Sequence, residues 1–497
     1  MVSKPKRGHR KPEKGLLSGE RRAFTIQFPR RPQAVIVFPA PYSAAIANLG
    51  YLTIWERLNK VPGFTCDRAV WNPRSKDMPR GMESGLPLSD FPLIFISSSF
   101  ELDLIRFLDM LITAGIEPEI VKRGESDPIV VAGGITPTLN PHPWEPVVDL
   151  TILGEGEDSV LEWIDIYQDW ILSGKDKERL LEASSRLKYV WMPGKSEADC
   201  HQAEYSYYRK DPPCSPVVHP QGHFGDCLLI EINRGCPHGC SFCAVCGAFP
   251  ARFADTEAIL QKIDDAKSLN STKIGLVGAA AGDHPHLKEI VRQIIASGKE
   301  ITISSLRIER TDSELLHLLA SGGFRTVTVA PEVADEELRR KIGKRASDDD
   351  LVQLAKDSAQ AGLYKMRAYM LIGLPDPEPL EKVVAFVKML RREAPTSLKL
   401  DFSFSSFIPK PRSVWQDAVF ASTKELNQTK RYLRSHLARI PGVSVKMEST
   451  RTERLSAVLS RGDCHVGEAL IRSQRSSRPL EQELKAAGIE PERYLVP

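Results

Sequence analysis

No stretch of these 497 residues approaches the ~20 consecutive apolar residues that a membrane-spanning helix needs. Neither sign of charge is in excess. Lys and Arg number 67 against 64 Asp and Glu, and a formal net charge of +3 gives no warrant for nucleic acid as a partner. The opening segment, MVSKPKRGHRKPEKGLLSGERR, is basic but has no apolar core, so it does not read as a secretory signal. A mobile basic tail over residues 1–32 is expected instead. Internal repeats and low-complexity segments are missing. Cysteine is sparse except in one place: Cys66, Cys200, Cys214, Cys227 and Cys464 are scattered, while the other four of the nine fall within residues 236–246. Clustering of this kind without a secretory signal argues against a disulfide framework. It points to a metal site in a reducing compartment, so a cytoplasmic location is expected.

What is present is alternation. The runs QAVIVFPAP, PLIFISSSF, PIVVAGG and VVDLTILGEGE are short and apolar, and helical patterns such as NLGYLTIWERLNK and ELDLIRFLDMLITAG lie between them. This predicts a doubly wound α/β domain with a parallel sheet over residues 33–190. Ligands in such sheets sit outside the carboxyl ends of the strands. The Gly-rich stretches AGGITP and GEGED follow strand ends there, which makes Gly133, Gly134, Thr136, Gly154, Glu155 and Gly156 candidates; the same glycines could equally serve only tight turns. Residues 191–222, rich in proline and polar side chains, read as a linker or substrate-proximal loop. Over residues 223–420 six strand candidates alternate with helices: DCLLIEINRGC, KIGLVG, EITISSL, FRTVTVAPE, YKMRAYMLIGLP and SLKLDFSFSSF. They predict a partial (β/α)6 barrel, whose site belongs at the strand carboxyl ends. Residues 421–497 read as a small accessory region, basic and helix-rich. There Lys430, Arg431 and Arg434 fit a solvated helix face better than an RNA contact.

The clustered cysteines follow the first barrel strand as C-x3-C-x2-C-x2-C. Zinc favours two short ligand pairs well separated in sequence, which one compact loop supplies poorly. Cys240, Cys243 and Cys246 match a ferredoxin-type C-x2-C-x2-C, but the expected distant Cys-Pro is missing, because His465 follows Cys464. A third arrangement uses Cys236, Cys240 and Cys243 alone. Three thiolates on a four-iron cluster leave one iron without a protein ligand.

The spacing C-x3-C-x2-C, with Phe242 before the third cysteine and the loop placed after strand one of a six-fold β-α array, resembles the radical S-adenosylmethionine (SAM) enzymes. The resemblance implies a 4Fe-4S cluster on Cys236, Cys240 and Cys243, with Cys246 outside the ligand set. It implies SAM bound at the strand ends: Gly278 and Ala279 in LVGAAAGDHP, which departs from the usual Gly-Gly-Glu form, Ser304, Ser305 and Arg307 in ISSLRIE, Glu332 in VAPE, and Gly373, Leu374 and Pro375 in LIGLP. The N-terminal block and the motifs LRRKIGK and SSFIPKPRSVWQ are similar to radical SAM proteins with a Rossmann-like, cobalamin-binding domain. No Asp-x-His-x-x-Gly cobalt-ligand motif is present, so cobalamin would bind without a protein histidine or the domain would be a relic. The implied activity is reductive SAM cleavage to a 5′-deoxyadenosyl radical, cobalamin-associated and directed to C-methylation of an unactivated carbon. The implied partner is a reductant such as flavodoxin or ferredoxin. The alternatives are radical oxidation or rearrangement without cobalamin, a methylthiotransferase (for which Cys66 alone in the N-terminal block is too few) and a non-enzymatic iron–sulfur carrier.

Overall fold

The computed structural model describes residues 15–26, 31–73, 75, 77–174, 176–195 and 200–496. Residues 1–14 and 27–30 of the expected tail and 196–199 of the expected linker lie outside the described residues. The chain forms two compact units, residues 1–206 with 215–226 and 462–489, and residues 207–214 with 227–461 and 490–497.

The first unit is built on a six-stranded sheet. β1 (Arg21–Arg22) stands apart from it; β2 (Ala34–Phe38), β3 (Cys66–Val70), β4 (Leu93–Ser98), β5 (Ile129–Gly134), β6 (Leu150–Ile152) and β7 (Val190–Trp191) run in the order β3-β2-β4-β5-β6-β7. All pairings are parallel except β6 with β7. Continuous apolar runs form these strands because helices cover both faces of a parallel sheet; every residue of β2 is buried. The order reverses between β2 and β4, which is the topological switch point of a doubly wound sheet. The helix Leu49–Lys60 starts at Asn48, whose Oδ1 accepts the Tyr51 N–H at 2.9 Å, and it buries Tyr51, Leu52, Trp55 and Leu58 in the core.

Part of the expected basic tail is folded. β1 pairs antiparallel with β8 (Val217–Val218), and the Glu20 carboxylate is buried against Arg68 at 2.8 Å. Arg68 is 1% exposed; it also reaches Glu83 at 2.6 Å and lies 4.2 Å from the centre of the Trp55 ring. Segment 462–489, expected in a C-terminal accessory region, also packs in this unit. In its helix Cys464–Ser476 a side chain at Gly467 would stand 2.3 Å from the Pro143 carbonyl, and Asn140 Nδ2 donates to the Gly462 carbonyl at 2.8 Å.

The second unit holds all six expected strands: β9 (Cys227–Arg234), β11 (Lys273–Gly278), β12 (Glu300–Ile303), β13 (Thr326–Glu332), β14 (Lys365–Ile372) and β15 (Lys399–Ser406). A short β10 (Arg252–Phe253) returns antiparallel onto β9, giving the sheet β10-β9-β11-β12. The second sheet is β13-β14-β15-β16, in which β16 (Val443–Met447) is a parallel strand that the sequence reading missed. Its half-exposed, alternating residues lack the apolar run that marks its neighbours. Together the parallel strands form an open half-barrel. The helices between them follow local signals, including a reciprocal Ser347–Asp350 cap on Asp348–Gln360. Lys430 is 6% exposed and ion-paired with Glu453, so it is a structural lysine. Among the described residues no helix is long and apolar enough to cross a membrane.

Candidate active site

The cysteine loop leaves the end of β9 through Gly235, whose φ of +68° and approach to Pro250 (2.3 Å from an added Cβ to the carbonyl oxygen) permit a sharp turn only without a side chain. The loop then lands on segments that follow other strands. Ser241 N donates to the Ile342 carbonyl at 3.2 Å, beyond β13, and Trp415 N donates to the Ser241 carbonyl at 2.9 Å, beyond β15. Cys240 Sγ lies 3.8 Å from the Gly343 carbonyl oxygen. Phe242 packs into a small apolar cluster with Val333, Ile342, Leu374, Phe407 and Trp415, which come from the ends of β13, β14 and β15. The loop therefore begins at the first strand and is anchored across the mouth at three others, where a barrel places its chemistry.

Cys240 is buried, and Cys236 and Cys243 are half-buried. Burial pushes all three thiols up, Cys240 to about 11, against the opposing pull of Lys344 on Cys240 and Cys243 and of Arg307 on Cys236 and Cys240. Thiols in this position become good ligands when a metal holds them as thiolates. Among the described residues no three His, Cys, Asp or Glu side chains converge on one metal ion. Three thiols on one loop, beside Lys344 and Arg307, are the donor set an iron–sulfur cluster takes. Cys246 is half-buried, with Sγ 3.4 Å from the Cys243 carbonyl oxygen.

The wall over the loop comes from SSFIPKPRSVWQ. A Cβ on Gly247 would stand 2.1 Å from the Arg412 carbonyl oxygen, a backbone atom that cannot swing away. Gly247→Ala is therefore expected to push the two loops apart and to lower the iron bound per chain after reconstitution, with the far-ultraviolet circular dichroism unchanged. Full iron content in that variant would show that this contact does not set the loop.

The remaining barrel candidates gather at the same strand ends. Gly278 faces Asn233, with an added Cβ 2.6 Å from its carbonyl oxygen, and the Gly278 carbonyl accepts Ser304 Oγ–H at 3.1 Å. Ala279 follows in the same turn, which is fixed by Ala280 N donating to Asn233 Oδ1 at 2.6 Å. Ser305 is exposed, and Arg307 is ion-paired with Glu309. Glu332 ends β13 at a φ of +69°, nearly buried; burial raises its carboxyl, and Lys344 at 3.2 Å pulls it down. Gly373 has φ +70°, Leu374 is buried in the cluster that takes Phe242, and Pro375 follows. Two participants were not read from the sequence. Lys344 lies in LRRKIGK, a motif that carried the resemblance but no role; it joins Glu332, faces Phe242 at 5.8 Å and acts on Cys240. Asn233, fully buried, links the cysteine loop to the turn after β11. Only its place just before the cysteines hinted at that.

In the first unit Gly133, Gly134 and Thr136 sit at the carboxyl end of β5 and Gly154, Glu155 and Gly156 after β6. Gly134 has φ +103° and presses on Ser98 (2.3 Å from an added Cβ to its carbonyl oxygen), and Thr136 hydrogen-bonds the Ser98 hydroxyl. Gly154 presses on Ala203, Gly156 on Ile54, and the buried Glu155 carboxylate accepts Tyr205 N–H at 2.7 Å. At Gly133 an added Cβ would meet the Ile152 carbonyl oxygen at 3.9 Å, an ordinary contact.

Two family models match the chain: Radical SAM proteins, N-terminal, over residues 50–193, and the Radical SAM superfamily over residues 230–389. Uncharacterized protein MJ0966 of Methanocaldococcus jannaschii is 24% identical over 448 residues, 88% of this chain and 90% of that protein. The anaerobic magnesium-protoporphyrin IX monomethyl ester cyclase of Synechocystis is 24% identical over 258 residues, 46% of this chain and 47% of its own. Among solved structures, the cobalamin-dependent S-adenosylmethionine radical enzyme OxsB with aqua-cobalamin bound covers 90% of this chain and 62% of its own at a TM-score of 0.54 and 14% identity. The radical S-adenosylmethionine methyltransferase TsrM from Kitasatospora setae, with cobalamin and a 4Fe-4S cluster bound, covers 75% and 72% at 0.50 and 15%. At these identities the likeness is one of fold. The half-barrel carries the core domain of a radical SAM enzyme, and with it the need for a 4Fe-4S cluster, SAM and an external reductant.

Proposed function

We propose that this radical SAM enzyme holds its 4Fe-4S cluster on Cys236, Cys240 and Cys243, leaves Cys246 outside the ligand set, and acts on an unactivated C–H bond of its substrate. The observation that carries this reading is the loop itself, which starts at β9 and is anchored beyond β13 and β15. The cluster with SAM supplies a 5′-deoxyadenosyl radical that removes the substrate hydrogen. The chain's own residues supply the setting. Lys344 and Arg307 place positive charge beside the thiolates. Ser304, Arg307 and Glu332 offer polar groups at the strand ends for the SAM ribose, carboxylate or amino group. Phe242 and Leu374 form an apolar floor that excludes water. A cytoplasmic flavodoxin or ferredoxin is the reductant in this reading.

Cobalamin association, and with it C-methylation, is the finer part of the proposal. The sheet order with its switch point between β2 and β4 supports it. A second reading, radical oxidation or rearrangement without cobalamin, is favoured by Gly154 and Gly156, whose missing side chains make room for Ala203 and Ile54 of the same chain. Anaerobic purification and reconstitution test both. Release of 5′-deoxyadenosine from SAM is expected, and none would sink the enzyme reading. A cobalt-corrin visible spectrum in the purified protein is expected for the methyltransferase; its absence after growth with cobalamin supports the second reading.

A further inference from the structure

The second sheet of the half-barrel has one apolar face and one that is largely polar. Met366, Ala368 and Met370 of β14 and Leu400, Phe402 and Phe404 of β15 are buried, as expected of the side that takes the helices. The alternate positions carry Arg367, Tyr369, Asp401 and Ser403. Parallel register sets Arg367 beside Asp401 and Asp401 beside Ser444; one pleat further on, Tyr369 lies beside Ser403 and Ser403 beside Lys446. Arg367 Nε donates to Asp401 Oδ2 at 3.0 Å, Ser444 Oγ donates to Oδ1 at 2.7 Å, and Lys446 Nζ stands 3.9 Å from Oδ2.

This row is unbalanced. Here one carboxylate, 2% exposed, serves two cations. A surplus positive charge therefore sits on this face, beside two hydroxyls. Tyr369 adds a second oddity: it lies on an interior strand, paired on both sides, yet it is 40% exposed. Interior strands ordinarily cover their aromatics. An exposed ring beside a fixed guanidinium and an ammonium is the composition of a surface that receives an anion.

We propose that this face is the substrate site and that the substrate is a small organic anion, whose carboxylate or phosphate group is received by Arg367, Lys446 and the Tyr369 hydroxyl. The inference rests on the radical SAM reading of the same half-barrel and adds the substrate class to it. Tyr369 precedes the end of β14 at Ile372 by three residues and Arg367 by five, roughly 10 and 17 Å at ~3.3 Å per residue. The anionic group is thus held well below the mouth, and the reacting carbon extends upward towards the cysteine loop.

The test uses the full chain and inorganic phosphate as the probe, read by phosphorus-31 line broadening without SAM or reductant. Saturable broadening is expected, weakened about tenfold or more by Arg367→Gln and by Lys446→Gln, as expected for lost hydrogen bonds to a charged group. Displacement of phosphate by acetate would identify the group as carboxylate; broadening that acetate does not reverse would identify it as phosphate. Unchanged broadening in both variants, or none in the wild type, overturns the proposal. Lys446 lies on an exposed strand, so its variant tests the site even where Arg367→Gln fails to fold. Phosphate binding is read apart from SAM cleavage, so a failure of the radical reading shows separately, as wild-type protein that binds phosphate and releases no 5′-deoxyadenosine.

Discussion

Cys240→Ala is expected to reduce SAM cleavage to background, while Cys246→Ala cleaves SAM as the wild type does. Cys240 is the most enclosed of the three proposed ligands, between the Gly343 carbonyl and the charge of Lys344. In the proposed arrangement its removal takes one of three thiolates from a cluster with no spare, the fourth iron being left open for SAM. Cys246 lies three residues beyond Cys243 and its thiol acts on that of Cys243. The pair of variants therefore separates two arrangements. Measurement of 5′-deoxyadenosine and of bound iron in both decides it. Cleavage that survives in Cys240→Ala means the ligand set is wrong. Loss in Cys246→Ala means a fourth thiolate closes the cluster, which would make the domain an electron carrier.

The second large effect lies in the first unit. Arg68→Met is expected to destabilise the first unit by about 3–5 kcal/mol, because it strands buried carboxylates without their cation. Glu20 and Glu83 both bond the Arg68 guanidinium, and Arg68 itself is 1% exposed. Burial already pushes the Glu83 carboxyl up to about 8 with Arg68 pulling it down. The lost contact with the Trp55 ring adds to the effect. Denaturant unfolding followed by tryptophan fluorescence reads it directly. A midpoint within error of the wild type would show that the network is not structural.

Those two sites differ in how far the sequence discloses them. The cysteine spacing is local, so its chemistry can be read before any fold is known, and the buried strands β2, β4, β9 and β14 announce themselves as apolar runs. The Arg68 network was invisible because Asp67, Arg68 and Glu83 meet across a loop, and Glu20 joins them from beside β1, which pairs with residues some two hundred positions away. The same holds for Gly154: its place after a strand suggests a ligand, but the neighbour that needs its missing side chain is Ala203, brought back by the chain. β16 was missed for a different reason, since a half-exposed strand carries a polar alternation that resembles a loop. Lys344 reaches Glu332 because Glu332 takes a left-handed backbone turn that no local pattern announces.

The anchoring of the cysteine loop bears on how the site keeps its shape. Ser241 is tied to Ile342 and Trp415, Cys240 lies against Gly343, and Gly247 is pressed to Arg412, all through protein atoms. In small zinc domains the metal does this work, and the apo chain is unfolded. Here backbone hydrogen bonds and a close glycine contact hold the loop in addition to any metal. The burden of shaping the loop is thus shared between the cluster and the protein's own contacts, so a substitution at Gly247 or Gly343 that touches no ligand still reaches the iron.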